Sequence, residues 1–207
     1  SDLDQLLETI LFSINPAIAS LKASFSLIGS DYDIADKKDA KILSNIIGEI
    51  KFNNVDFAYK DSHYNVLNDF NLTIKAGEKI GIVGATGAGK TTIIKCLLRY
   101  FDIAKGAILI DNNDIRNLTQ ESLRANISVI PQDITMFHRS ILQNLQLAKY
   151  DATFNEIVDA CKKARIHYDI TNMQNGYNTI VGERGVKVSG GQRQRIAIAR
   201  AILKDAP

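Results

Sequence analysis

Gly84-Ala85-Thr86-Gly87-Ala88-Gly89-Lys90-Thr91 fits G-x-x-x-x-G-K-[ST], the spacing of a loop that cradles phosphate groups. The run before it, Lys79-Ile80-Gly81-Ile82-Val83, is short and β-rich, and Ile94, Leu97, Leu98 and Phe101 follow at helical spacing. Strand, loop and helix in that order are the context the motif requires. The glycines let the backbone turn successive N–H groups inward as an anion nest, and the helix N-terminus behind them adds a favourable dipole. In the usual division of labour Lys90 reaches the β- and γ-phosphates while the Thr91 hydroxyl holds Mg²⁺. A dinucleotide fingerprint needs G-x-G-x-x-G; here the glycines run G-x-x-G-x-G into Lys-Thr, so that rival loses. A glycine-rich turn with a chance lysine is the remaining plain reading, and the agreement of three successive elements weighs against it.

The chain of 207 residues is long enough for one sizeable core plus an appendage. A formal net charge of +2 is too small to argue for nucleic acid, and no nucleic-acid partner is expected. Cys96 and Cys161 are the only cysteines and have no C-x-x-C partner, which speaks against a disulfide framework or a zinc knuckle. Cys161 shares an apolar stripe with Phe154, Ile157, Val158 and Ala164, the setting of a buried thiol. No secretory signal is visible after Ser1, and a first residue other than methionine suggests a piece of something longer.

Leu3, Leu7, Ile10, Ile14, Ile18, Leu21, Phe25 and Ile28 recur at helical intervals and predict one long helix. Glu8, Pro16 and Lys22 interrupt its apolar character, so it falls short of a complete membrane span. It is either a surface amphipathic helix or the end of a membrane helix that begins upstream. A charged stretch from Gly29 to Ser44 reads as a solvated linker. Alternation over Ile50–Tyr59 and the run Leu72–Ile74 predict strands, so a β-rich subdomain precedes the phosphate loop. Ala107–Ile110 and Ile127–Ile130 are further strand candidates, with helices expected at Gln120–Arg124, Leu142–Leu147 and Phe154–Arg165.

Ser189-Gly190-Gly191-Gln192 stands directly before Arg193-Gln194-Arg195-Ile196-Ala197-Ile198-Ala199-Arg200-Ala201, a strong helix pattern. A serine and two glycines opening a helix can cap it, or can offer N–H groups and a hydroxyl to a phosphate. Paired with the phosphate loop upstream, this second motif makes the chain resemble the nucleotide-binding domain of ATP-binding cassette (ABC) transporters from about Ile50 onward. Tyr59 matches the aromatic that stacks on adenine in that family. Gly84, Ala85, Thr86, Gly87, Ala88, Gly89, Lys90, Thr91 and the following Thr92 match its phosphate loop. Pro131-Gln132-Asp133 matches the loop whose glutamine touches Mg²⁺ and water, and Val181-Gly182-Glu183-Arg184-Gly185 the element that faces the membrane domain in exporter-type members. Val188 to Gln192 matches the family signature, with valine where leucine is usual.

The resemblance implies an α/β fold: a P-loop NTPase core with an N-terminal antiparallel β subdomain and a helical subdomain, preceded by a long helix. Residues 1–30 would be the cytosolic end of a membrane helix, 31–48 a charged linker and 49–207 the nucleotide-binding domain, incomplete at its C-terminus. ATP and Mg²⁺ are the implied cofactors, with Lys90 and Gln132 catalytic and Thr91 and Gln132 on the metal. A second such domain, identical or not, would supply Ser189 to Gln192 to this chain's ATP, and a transmembrane domain of the same polypeptide would be driven from the cytoplasmic side of a membrane. The aspartate, glutamate and histidine that follow the signature helix in the family are not reached by Pro207. The fragment is therefore expected to be catalytically incomplete, with unpaired strand edges and marginal folding. A soluble ABC-type ATPase of DNA repair or translation and a truncated module that binds nucleotide without turnover are the alternatives. By the same resemblance His63, His138 and His167 are not the family's switch histidine, so they are surface or structural residues.

Overall fold

Phe52, Val55 and Phe57 face inward from strand β1 (Ile50–Phe57), and their spacing slips by one residue because the strand bulges at Asn53–Asn54, where Asn54 takes a φ of 48°. The computed structural model describes residues 34–62, 64–182 and 185–207. β1 is the central strand of an antiparallel sheet in the order β2-β1-β3-β4, with β2 at Leu67–Ile74, β3 at Lys105–Ile110 and β4 at Asn113–Asp114. Ile50 pairs with Ile74 on one side and with Ile110 on the other, so the β-rich subdomain expected ahead of the phosphate loop also draws in a strand from beyond it.

The inner face of this sheet is covered by helix α1 (Lys90–Leu97), which contributes Ile93, Cys96 and Leu97 to a core with Phe52, Ile108 and Leu123. Helix α2 (Gln120–Ala125) is capped by the Thr119 hydroxyl and supplies Leu123. A second core lies in the helical part: α3 (Ile141–Gln146), α4 (Phe154–Lys163), α5 (His167–Thr171) and α6 (Gly190–Lys204) bury Leu145, Ile157, Ile170 and Ile196 together. A small ladder of β5 (Arg139–Ser140) with β6 (Ile180–Val181) closes this part. The architecture is thus α/β with an antiparallel β subdomain and a helical subdomain, as expected. The long helix expected over Leu3–Ile28 lies outside the described residues; among the described residues no helix is long and apolar enough to cross a membrane.

Two expected strands are not formed. Lys79–Val83 and Ile127–Ile130 follow paths without ladder partners, and Ile80, Ile82, Val83, Val129 and Ile130 are all exposed. Both runs are apolar, but a strand exists only through the neighbour that satisfies its N–H and C=O groups, and the described residues place none beside either run. The linker also differs from a solvated connector over residues 36–43. Asp36 accepts from the Gln120 backbone N–H at 3.1 Å and from the Arg99 guanidinium, Lys41 exchanges backbone hydrogen bonds with Asn117 and Thr119, and Leu43 is buried. Farther along, the Asp111 carboxylate gathers the N–H groups of Ile47, Gly48 and Glu49 at 2.7–3.2 Å. Both cysteines are buried free thiols, and burial pushes the Cys96 thiol up to about 11.

Three helices in the second part begin with the reciprocal Ser/Thr-x-x-Glu/Gln cap: Ser140 with Gln143, Thr153 with Glu156, and Ser189 with Gln192. The fully buried Asn144 on α3 ties the turn before it to the rest. Its amide donates to the carbonyls of Phe137, Arg139 and Ser140, and its oxygen accepts from Phe137 N–H and from Arg200 of α6 at 2.7 Å. Asn144→Ala strands the Phe137 N–H and a guanidinium N–H, so we expect a loss of about 2–4 kcal/mol in urea unfolding. At the Glu156 cap, the Lys149 ammonium, the Thr153 N–H and the Thr153 hydroxyl hold the carboxyl down to about 2. A depressed carboxylate stabilises the fold above its unfolded pKa and loses that contribution as pH falls toward the folded value. The stability difference between wild type and Glu156→Gln should therefore be constant near neutrality and close between the ordinary glutamate range and about pH 2, as read by denaturant titration at each pH.

Candidate nucleotide site

The sequence Gly87-Ala88-Gly89 folds as a tight turn because Gly87 and Gly89 both sit at φ 85°, the left-handed region. Gly89 is required twice over. A Cβ there would stand 3.2 Å from Val66 Cγ1 and 3.3 Å from the Val66 carbonyl, so the absent side chain lets the phosphate loop press on the connection between β1 and β2. As the N-cap residue of α1, Gly89 has no side chain to cap it, and the first turn carries no acid. The leading N–H groups of α1 are therefore left to an outside acceptor, at the positive end of the helix.

A cavity of about 440 Å³ opens over this turn. Gly87 to Thr92 line one end, and Tyr59, Ser62, Tyr64, Asn65 and Val66 the other. Tyr59 is a fixed wall: its hydroxyl shares a 3.0 Å hydrogen bond with the buried Thr92 hydroxyl, and its ring meets Phe57 and Phe101 edge-on at centroid distances of 4.9 and 5.2 Å. The Lys95 ammonium lies 5.9 Å from the ring centroid. Lys90 points back along the loop, its ammonium donating to the Gly84 carbonyl at 2.8 Å and the Ala85 carbonyl at 2.7 Å. Those carbonyls hold the charge where phosphate oxygens of a triphosphate could replace them. The Thr91 side chain is exposed.

Of the residues singled out from the sequence, Tyr59 and Gly87 through Thr92 therefore share one cavity, while Gly84 and Ala85 serve as acceptors for Lys90 and Thr86 lies in the same exposed loop. Gln132 is exposed on the loop following the unpaired Ile127–Ile130 run and does not line this cavity. Neither do Ser189 to Gln192, which open α6 on the other core. The Ser189 hydroxyl accepts from the Gln192 N–H at 3.2 Å while the Gln192 side chain accepts from the Ser189 N–H at 2.9 Å, so the capping reading holds. It leaves the hydroxyl proton free to be donated. A Cβ on Gly190 or Gly191 would meet only the far ends of Arg193 and Arg195, at 3.8 and 3.5 Å. The fold itself thus does not demand glycine there, although each glycine in a helix costs about 1 kcal/mol relative to alanine.

Val181 is fully buried in β6, and Gly182 and Gly185 lie against His138 and the Ile180 carbonyl more closely than any Cβ would permit. Glu183, Arg184 and His63 lie outside the described residues. His167 is structural, its Nδ1 sharing a 3.0 Å hydrogen bond with the Tyr177 hydroxyl, and His138 is exposed. The wall formed by Ser62, Tyr64, Asn65 and Val66 has no motif in the sequence; its one signal there is a tyrosine and an asparagine just ahead of the strand Leu67–Ile74.

The ABC transporter family model matches residues 67–207. The heavy metal tolerance protein of Schizosaccharomyces pombe is 44% identical over 95% of this chain and 24% of its own length. The mitochondrial iron-sulfur clusters transporter ATM1 of Gibberella zeae is 39% identical over 97% of the chain and 29% of its own length, and the ATP-dependent lipid A-core flippase of Syntrophus aciditrophicus 41% over 94% and 32%. A solved bacterial Atm1-family ABC exporter with ATP bound superposes with a TM-score of 0.86 at 39% identity, over 94% of this chain and 34% of that one. The chain thus spans about a quarter to a third of the length of these relatives. Phosphate loop, capped signature helix and two-core architecture agree with these matches, and the chain belongs to the ABC transporter family, as a nucleotide-binding domain of the exporter type.

Proposed function

We propose that this domain binds and hydrolyses ATP and couples the cycle to translocation of a substrate across a membrane, from the cytoplasmic side. The observation that carries the reading is the phosphate end of the cavity, where uncapped N–H groups of α1 and the Lys90 ammonium converge beside the fixed Tyr59 ring. Tyr59 supports the adenine, Gly84 through Thr92 the triphosphate. Lys90 exchanges its loop carbonyls for β- and γ-phosphate oxygens and so tracks the charge that moves during transfer. Thr91 and Gln132 offer neutral oxygens of the kind Mg²⁺ accepts, and among the described residues no cluster of three or more His, Cys, Asp or Glu forms an all-protein cage. The ion, when bound, neutralises charge between the β- and γ-phosphates.

Ser189 to Gln192 belong to the other core and do not line the cavity of their own chain, which supports a head-to-tail arrangement in which they complete the ATP site of a second nucleotide-binding domain, identical or not. Ser189 donates its free hydroxyl proton there, and Gly190 and Gly191 let the phosphate approach backbone N–H groups. The membrane domain, on the same polypeptide, meets this one through the region of Gln132 and Val181 to Gly185. ATP binding closes the pair and hydrolysis opens it, a two-state linkage between nucleotide and transport.

Lys90→Ala removes a charge-assisted contact and should weaken ATP binding about 10- to 100-fold in equilibrium titration. Unchanged affinity would remove the loop from the nucleotide site. Ser189→Asp separates capping from phosphate contact, because aspartate caps as well as serine but has no proton to donate and repels the γ-phosphate. Thermal stability should hold while ATP-dependent association of two domains, followed by light scattering, is lost.

A further inference from the structure

Tyr64 is 75% exposed, lines the nucleotide cavity, and among the described residues stacks on no other ring. Single exposed tyrosines are common, so exposure alone says little. What distinguishes this one is the bracing of its loop. The Ser62 hydroxyl accepts from the Tyr64 N–H at 3.3 Å and donates to the Tyr64 carbonyl at 2.8 Å, and the Ser62 N–H closes a turn on the Tyr59 carbonyl at 2.9 Å. Val66 N–H bonds the Phe57 carbonyl at 2.7 Å, and Val66 itself is pressed against Gly89. Tyr64 is thus tied through Ser62 back to Tyr59, and Val66 is held directly on the phosphate loop.

The cavity is polarised along its length. Phosphate can sit only at the Gly87–Thr92 end, where the free N–H groups and Lys90 are, so the base of a nucleotide lies toward Tyr59, Tyr64 and Asn65. Tyr59 is already committed to Phe57, Phe101 and Thr92, whereas the Tyr64 ring and the exposed Asn65 amide have no partner among the described residues. We propose that Tyr64 and Asn65 form a second, base-reading wall of the nucleotide site: Tyr64 stacks on the purine, and the Asn65 amide, which can donate and accept at once, accepts from the N6 amino group and donates to N7 of adenine. This rests on the assignment of the cavity to ATP and adds to it a specificity-determining pair. On that edge guanine presents two acceptors, O6 and N7, which one amide cannot satisfy in either orientation, so the pair favours ATP over GTP.

The test compares wild type, Tyr64→Ala, Tyr64→Phe and Asn65→Ala for binding of ATP, GTP and inorganic triphosphate by equilibrium titration of the purified protein. We expect Tyr64→Ala to weaken ATP roughly 5- to 100-fold, the range of base–aromatic stacking, with Tyr64→Phe near wild type and triphosphate unchanged in both. Asn65→Ala should bring ATP and GTP affinities together. Equal ATP affinity in wild type and Tyr64→Ala overturns the proposal, as does a parallel loss of triphosphate, which would make Tyr64 a support of the loop instead of a base contact. If wild type binds neither ATP nor triphosphate, the assignment of the cavity itself fails, and this pair falls with it.

Discussion

The contact between Gly89 and Val66 fixes the candidate nucleotide site. One wall of the cavity comes from the connection between β1 and β2 and the other from the helix that carries the phosphate loop, and these meet where a glycine without a Cβ lies 3.2–3.4 Å, measured from the missing atom, from Val66 and Leu67. Packing and backbone conformation ask for the same residue here, since φ 85° alone would already disfavour any side chain. From that point the hydrogen bonds run outward. Ile93 N–H to the Gly89 carbonyl starts α1, Val66 N–H to the Phe57 carbonyl registers the loop against β1, and Tyr59 to Thr92 closes the circuit. The site is therefore pre-organised by main-chain geometry, with side chains added to a frame already in place.

The helical part has a comparable centre in Asn144. A buried amide with two donors and one acceptor oxygen meets three carbonyls, an N–H and the Arg200 guanidinium, which also donates to the Asn144 carbonyl at 2.8 Å. It joins α3 to α6 and fixes the turn leading out of the Gln132 loop. A polar residue at zero exposure is favourable only when its groups are all engaged, and here they are. The consequence is that the start of α6 is held by its own cap and the middle of α6 by Asn144, so Ser189, Gly190 and Gly191 present their free groups from a rigid base.

Much of this was legible in the sequence, and the parts that were not share a cause. The helix starts at Ser140, Thr153 and Ser189 are local events, each written within four residues, and the sheet pairing of Ile50–Phe57 follows from alternation. The phosphate loop was legible because its glycines answer a local backbone demand. Lys79–Val83 and Ile127–Ile130 look like strands in the sequence yet form none, because apolar β-branched runs state a preference for a ladder but not whether a partner lies beside them. Tyr64 and Asn65 carry no motif at all, since their relation to the site passes through a packing contact between residues 66 and 89. The docking of residues 36–43 was hidden for the same reason: Asp36 reads as one more charge in a polar stretch until Arg99 and the Gln120 N–H are found around it.

That docking bears on how a nucleotide could be felt at a distance. Arg99 follows α1 at φ 51°, is almost fully buried, and divides its guanidinium among Asp36, Asp102 and the Leu118 carbonyl. The N-terminus of the same helix is the end that would take phosphate. Eight helical residues, with Ile93, Cys96 and Leu97 locked in the core, separate the two ends. A helix packed this closely transmits strain, so on the proposed reading a shift imposed on the phosphate loop would reach Arg99 and, through it, the stretch that begins at Asp36. On the proposed reading this stretch leads back toward the membrane domain. The segment between that domain and this one would then be part of the working contact, gripped at a charge pair instead of hanging free between them.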